Sequence, residues 1–268
     1  MSGGAREVVA VAWQGLRAER LAEQVADEVA VALEVNGLSL AVMMATPLDL
    51  EDFALGFLLS EGLIDEPGEL LEIEPKPVDA GIALQLQVTQ RQLHRFKERR
   101  RSMVGRTGCG ICGAESLEQA LRPLSRPVGT AMVSMEAVLH GMAGLAQAQQ
   151  LQQLTGATHA AAWCDLRGQA LCVREDVGRH NALDKLIGAM ARAQVDASQG
   201  FIAVTSRASY EMVHKTAMAG VGLLAAISGP THLAIRTADA AGLTLAGFVR
   251  GGRATVYTHA QRLQPTGG

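Results

Sequence analysis

Two of the chain's four cysteines stand between glycines in the segment Gly108-Cys109-Gly110-Ile111-Cys112-Gly113. A C-x-x-C spacing supports three chemistries: a metal site completed by further ligands, a disulfide that opens and closes, or an activated thiolate. The flanking glycines leave the backbone loose and sterically open, which a buried structural pair would not need. Arg106 and the upstream run RQLHRFKERRR at 91–101 supply cations, and nearby cations lower a thiol pKa. A helix opening at Glu115-Ser116-Leu117 would bring its positive end near Cys112. An open, electropositive thiol of this kind suits nucleophilic sulfur chemistry. The metal alternative would need Cys164 and Cys172, which sit in the apolar runs AAAWC and ALCV and read as buried small hydrophobes. A thioredoxin-like dithiol normally opens a helix directly after a strand, whereas a charged, irregular run precedes Cys109. Cations beside a cysteine do not separate a disulfide exchanger from a sulfur carrier, and on these residues alone both stay open.

A second group of residues is dispersed over the carboxyl-terminal half. Arg174-Glu175-Asp176-Val177-Gly178-Arg179-His180-Asn181 lies between a strand and a helix. Thr205-Ser206-Arg207-Ala208-Ser209, with Lys215 beyond it, occupies the next such junction, and Ser228-Gly229-Pro230-Thr231 a third. Phe248-Val249-Arg250-Gly251-Gly252-Arg253 follows the last long strand. All four fall at the expected carboxyl ends of strands, where open α/β sheets bind ligands and helix N-termini favour anions. Singly, each has a bland reading: Ser-Gly-Pro-Thr is a good helix start, and Gly251-Gly252 a good hairpin turn. Together, Arg179, His180, Ser206, Arg207, Ser228, Thr231 and the stretch Phe248 to Arg253 point to a phosphate-bearing ligand. His180, Asp176 and Asp184 could do acid–base work, although a polar residue at a helix cap is as often structural. There is no Walker A loop and no zinc-deaminase H-x-E with P-C-x-x-C, and this carboxyl-terminal half holds no G-x-G-x-x-G.

The elements that must position these residues fall into two patterns. Residues 8–13 read as an edge strand. Val29 to Val35 and Leu38 to Val42 alternate about Asn36-Gly37, a hairpin with a type I′ turn. Thr46-Pro47-Leu48-Asp49 reads as a helix start, with Thr46 as N-cap and Pro47 at the first helical position. That helix carries Leu50, Phe53, Ala54, Phe57 and Leu58 on one face and stops at Gly62. A weak strand pair fits 70–75 and 81–89. After the basic run the pattern becomes helix 134–153, strands 159–164 and 169–174, helix 181–194, strand 201–204, helix 209–219, strand 221–227, helix 230–240, and strands 243–248 and 254–258. Short apolar runs separated by amphipathic helices indicate an α/β fold, a mixed sheet with helices on its faces. The expected division is an N-terminal α+β domain over 1–95, a mobile basic and cysteine-bearing loop over 96–116, and an α/β domain over 117–268.

Bulk properties remove several classes. The 268 residues are 48% hydrophobic and 19% charged, a globular composition, with 3% aromatics, so the core is aliphatic. A net charge of −3 offers no general attraction to nucleic acid or an anionic membrane. No apolar run approaches the roughly 18–20 residues of a membrane span, and the amino terminus lacks a signal-peptide apolar region. A cytoplasmic protein with reduced cysteines is expected.

RTGCGICGAESL at 106–117, REDVGRHNALDKLIG at 174–188, TSRASYEMVHKTAMAG at 205–220 and FVRGGRATVYTH at 248–259 together resemble the FdhD family, with the resemblance running from about residue 29 to about 263. The resemblance implies a cytidine deaminase-like core without its zinc site, a homodimer, and sulfurtransferase activity in the maturation of formate dehydrogenase. It implies sulfur received as a persulfide from an L-cysteine desulfurase and passed to the molybdenum (or tungsten) bis(molybdopterin guanine dinucleotide) cofactor. That cofactor would be bound transiently, before it enters the formate dehydrogenase catalytic subunit. Cys109 would carry the persulfide with Cys112 beside it, and Phe248 to Arg253 would bind the cofactor. The chemistry agrees with the residues: a thiolate must reach another protein's active site, and the guanine dinucleotides carry several phosphates for which Arg250 and Arg253 are suited, with Phe248 placed to stack on guanine.

Overall fold

The alternating residues from Val29 onward pair as expected. In the computed structural model, which describes residues 3–101, 124 and 127–264 (side chains of 98–101 excepted), β3 (Val29–Val35) and β4 (Leu38–Ala45) meet at Asn36-Gly37. Both turn residues have positive φ, 47° and 76°, as a type I′ turn demands. With β5 (Leu70–Val78) and β6 (Gly81–Val88) they form a four-stranded sheet in the order β4-β3-β6-β5. Helix α1 (Leu50–Ser60) packs on this sheet and buries every residue except Glu51.

Ahead of this sheet, β1 (Ala5–Gln14) turns through Gly15-Leu16 into β2 (Arg17–Ala26), so the expected edge strand is one arm of a separate hairpin. The expected helix start at Thr46 is also corrected. Helix α1 begins at Leu50, after Asp49 in the left-handed region at φ 51°. The groups of Thr46 are committed elsewhere: its N–H donates to Asp176 (3.0 Å), its hydroxyl accepts from Val177 N–H (3.2 Å) and its carbonyl accepts from Lys185 (2.9 Å). The basic run is a helix, α2 (Gln90–Arg101), and not irregular: its Gln92 and Phe96 are buried and its Arg95 pairs with Asp65 at 2.5 Å. The Cys109–Cys112 segment, with 102–116 of the expected cysteine loop, lies outside the described residues.

The carboxyl-terminal part carries a six-stranded sheet in the order β13-β12-β11-β10-β8-β9. Its strands are β8 (His159–Asp165), β9 (Ala170–Asp176), β10 (Gly200–Val204), β11 (Leu223–Ala226), β12 (Thr244–Arg250) and β13 (Arg253–Thr258). A short parallel pair, β7 (Val133–Ser134) with β14 (Leu263–Gln264), accompanies it. β10, β11 and β12 are parallel; β8 runs against both β10 and β9, so β9 shares the direction of the parallel strands. β10 and β11 are buried at every residue, as strands covered on both faces should be. Helix α3 (Met135–Ala148) covers one face together with Cys164, Phe201 and Ala203. The expected helix 134–153 is interrupted: Gln149 breaks it, and α4 (Gln150–Thr155) follows as a separate turn.

On the other face lie α5 (Arg179–Arg192), α6 (Tyr210–Met218) and α7 (His232–Ala241), and α1 joins them there. One hydrophobic cluster therefore runs from Val31, Leu33 and Leu84 of the smaller sheet through Phe53 to Leu183, Leu186 and Ile202. The α1–α5 crossing is made by glycines. A β-carbon on Gly56 would stand 1.7 Å from the Asp184 carbonyl oxygen, and one on Gly188 would stand 1.9 Å from that of Asp52. At such distances only hydrogen fits.

Candidate functional site

Because β9 to β12 point the same way, the four segments singled out in the sequence emerge at one edge of the sheet. Backbone bonds tie three of them together. Ile227 N–H donates to Val204 O (3.1 Å), Thr231 N–H to Ala208 O (3.0 Å) and Phe248 N–H to Ser228 O (3.2 Å). The fourth, at the end of β9, is set apart from β10 by β8. The residue filling that gap is His159, at the amino end of β8 and paired in register with Asp176. Sequence reading passed over His159, although the hairpin through Asp165–Gly168 already required the start of β8 to lie beside the end of β9.

The β9 segment is anchored from below. Asp176 is fully buried and all its bonding capacity is used. One carboxylate oxygen accepts from Gly178 N–H (2.8 Å) and Asn181 (3.0 Å); the other accepts from Thr46 N–H (3.0 Å) and forms an ion pair with Lys185 at 2.7 Å. Asp184 is likewise buried, with Ser60 (2.6 Å) and Lys215 (2.9 Å) upon it, and burial pushes its carboxyl up. These two aspartates hold the two parts of the protein together. Above them, α5 opens with Arg179 and His180. The Arg179 Nε is buried without a hydrogen-bond partner among the described residues. His180 Nε2 stands 2.7 Å from the Glu211 carboxylate, at ion-pair distance but off the line a hydrogen bond needs. Burial first, then the charges of Arg179 and His180, hold the His159 imidazole below its ordinary range. The edge is therefore electropositive and incompletely satisfied.

Of the hydroxyl residues, Ser206 is buried and donates to the Arg207 carbonyl (3.0 Å), while the Thr231 oxygen accepts from Ala234 N–H (3.2 Å) and caps α7. Ser228 takes part through its carbonyl, which holds Phe248. Phe248 adopts φ 52°, a conformation costly for a bulky residue, and its side chain is 37% exposed. Its ring lies over Gly229, where a β-carbon would come within 2.7 Å of it. Val249 is wholly buried and anchors the strand. Gly251 and Gly252 (φ 58° and 74°) form the hairpin turn between Arg250 and Arg253. Neither glycine has any atom within 4 Å of where its β-carbon would be, and both arginines are exposed. Among the described residues, Arg207, Arg250 and Arg253 form no ion pair. The arrangement offers an open aromatic face, uncommitted guanidinium groups and a bare backbone turn. These are the groups with which a protein receives a base and phosphates.

The other two cysteines stand away from this edge. Cys164 is buried in the α3 core, and burial pushes its thiol up to about 12. Cys172 is half-buried beside Arg174, and burial raises its thiol too. Among the described residues no group of three or more histidine, cysteine or acidic side chains is placed to hold a metal ion. Nor is any of their helices long and apolar enough to cross a membrane.

Fold and edge together define the class: an α/β protein whose strand ends gather basic and small residues at one edge of the sheet. Its place within that class follows from likeness to known proteins. The FdhD/NarQ family model matches residues 26–264, and the chain belongs to that family. It is 60% identical over 240 residues to the sulfur carrier protein FdhD of Variovorax paradoxus, covering 89% of this chain and 86% of that one. To the protein of the same name from Cupriavidus necator it is 56% identical over 243 residues (90% and 84%). The fold resembles a crystal structure described as a formate dehydrogenase accessory protein from Desulfotalea psychrophila. The TM-score there is 0.76 at 21% identity, covering 97% of this chain and all of that one.

Proposed function

We propose that this protein is a sulfur carrier: Cys109 takes sulfur from an L-cysteine desulfurase and delivers it to the molybdenum (or tungsten) bis(molybdopterin guanine dinucleotide) cofactor before that cofactor enters formate dehydrogenase. The observation that carries the reading is the sheet edge, where Phe248 is held out at φ 52° beside the open Gly251-Gly252 turn and its two free arginines. The family's curated members bear the sulfur-carrier name, which supports the same conclusion. Phe248 stacks on guanine, Arg250 and Arg253 take phosphate, and Arg179 and Arg207 extend the positive edge toward the second nucleotide, with His159 beside them.

The transfer balances without an external oxidant. The Cys109 thiolate attacks the outer sulfur of the desulfurase persulfide; the S–S bond breaks and the desulfurase cysteine leaves as thiolate. On delivery, the Cys112 thiolate attacks the Cys109 sulfur and closes a Cys109–Cys112 disulfide, releasing HS⁻ to the cofactor. The two thiols supply the two electrons, and a cellular dithiol reopens the disulfide.

Intact-mass measurement after incubation with a cysteine desulfurase and cysteine tests the proposal. The wild-type chain gains one sulfur atom, removable by a reducing thiol, and Cys109→Ala gains none. Arg253→Ala still loads sulfur but binds GDP, used as a probe of the guanine end, about tenfold more weakly, the cost of a lost charge-assisted contact. A Cys109→Ala protein that still carries desulfurase-derived sulfur overturns the assignment.

A further inference from the structure

Four helices of the described residues end in the same turn. After α1, α5, α6 and α7 the chain closes a Schellman motif, in which two successive N–H groups fold back onto carbonyls of the last helical turn. Gly62, Gly220 and Gly242 take its left-handed position at φ 63°, 75° and 69°, with their N–H groups on Leu59, Ala217 and Asp239. Helix α5 closes in the same way: Gln194 N–H donates to Ala191 O (3.2 Å) and Val195 N–H to Met190 O (3.0 Å). Its left-handed residue, however, is Gln194, at φ 53°. Glycine adopts that conformation freely and a residue with a side chain does not. The chain therefore keeps a strained side chain here where it uses glycine three times elsewhere. The Gln194 carboxamide has no hydrogen-bond partner among the described residues.

Gln194 stands on the wall of a cavity of about 660 Å³, a volume within the range of natural ligand sites. The cavity lies at the end of α5 opposite to Arg179 and the anion-suited edge. Its floor is apolar, made by the buried side chains of Leu59, Ile187, Met190 and Met218. Two of these are methionines, which adapt to the shape of what they touch. The carboxyl ends of α1, α5 and α6 all border the cavity, so three helix dipoles turn their negative ends toward it. Glu66 adds a carboxylate, and the one cation of the lining, Arg192, is already paired with Asp52 at 3.1 Å. Such a site disfavours an anion.

We propose that this cavity binds an uncharged, extended segment of a partner protein, with one large apolar side chain on the floor and the adjoining peptide group against Gln194. A carboxamide holds a donor and an acceptor side by side, and a peptide group offers the matching pair in return. A nucleotide or a free amino acid brings an anionic group that the helix ends repel, whereas a peptide group within a chain brings none. The strain at Gln194 has a reason on this account: glycine would close the turn at lower cost but could not read the peptide. The inference does not rest on the sulfur-carrier reading.

Methionine-methyl NMR of the full chain, titrated with the capped tripeptide acetyl-Ala-Leu-Ala-amide, tests it. The Met190 and Met218 methyl signals are expected to move saturably at millimolar peptide, and acetyl-Asp-Leu-Asp-amide is expected to bind about tenfold more weakly. Gln194→Ala removes the carboxamide and weakens binding of the neutral peptide about tenfold. Gln194→Asn, which keeps an amide on a residue tolerant of the left-handed region, restores part of it. Gln194→Gly weakens binding as much as alanine does while raising the midpoint of urea unfolding, which separates the loss of binding from any loss of fold. No movement of the two signals at about 10 mM peptide, or equal affinity of Gln194→Gly and wild type, overturns the proposal. So do signals that move on dilution of the protein alone, the mark of a second copy in the cavity.

Discussion

His159 is half-buried at the amino end of β8, and burial, then Arg179, then His180, all favour its neutral form. A phosphate received at this edge would offset the two cations and favour protonation instead. The sign follows: the free imidazole is neutral above a pKa that lies below 6.5, and the bound one holds its proton to higher pH. Affinity for GDP therefore rises as pH falls through the bound-state pKa and levels off below the free-state one. Calorimetric titration should record proton uptake on binding beyond that of the nucleotide's own phosphate, and His159→Gln should abolish that excess. Equal proton uptake in the two proteins would separate His159 from the ligand. Nothing local marks His159 as part of the site; only the pairing of β8 with β9 brings it there. The Phe248-to-Arg253 stretch, by contrast, was legible because its chemistry is contiguous in the chain.

Among elements, the α1–α5 crossing brings backbone directly onto backbone, and both of its glycines lie inside helices, where glycine is a poor helix former. Gly188→Ala would gain about 1 kcal/mol of helix propensity and lose more, because its methyl meets the Asp52 carbonyl at 1.9 Å. We expect a net loss of about 2–3 kcal/mol in urea unfolding, with Gly129→Ala, whose methyl would meet its neighbours at 3.3 Å or more, costing far less. Strands β3 and β4 and the four carboxyl ends were readable in the sequence because alternation and turn chemistry are local. The fate of Thr46 was not, because its partners Asp176 and Val177 lie 130 and 131 residues away. β2 was not foreseen because RAERLAEQVA lacks a strand's composition and becomes one by pairing with β1.

For the molecule as a whole, the continuous core and two buried ion pairs make the parts mutually dependent. Burial, the largest influence on Lys215, favours its neutral form, but Asp184 and Glu61 outweigh it and raise its pKa above 10.5. That contribution to stability is complete below 10.5 and is lost as pH rises through the folded-state value. Lys215→Met leaves Asp184 buried without its cation and should cost about 3–5 kcal/mol, with a shallower alkaline decline than the wild type, both measured by denaturant unfolding. A single transition is expected in each protein; a separate early transition for the smaller sheet would contradict the shared core. The glycine crossing also bears on descent. Genes exchange parts most readily where connections are exposed and few contacts cross, but here backbone rests on backbone, with no side chain between to adjust to a new neighbour. A foreign replacement for either half would need its own glycine at the same turn, facing a carbonyl at the same height. The two sides are therefore expected to be inherited together, and the family match, reaching from 26 to 264, spans both sides of that contact.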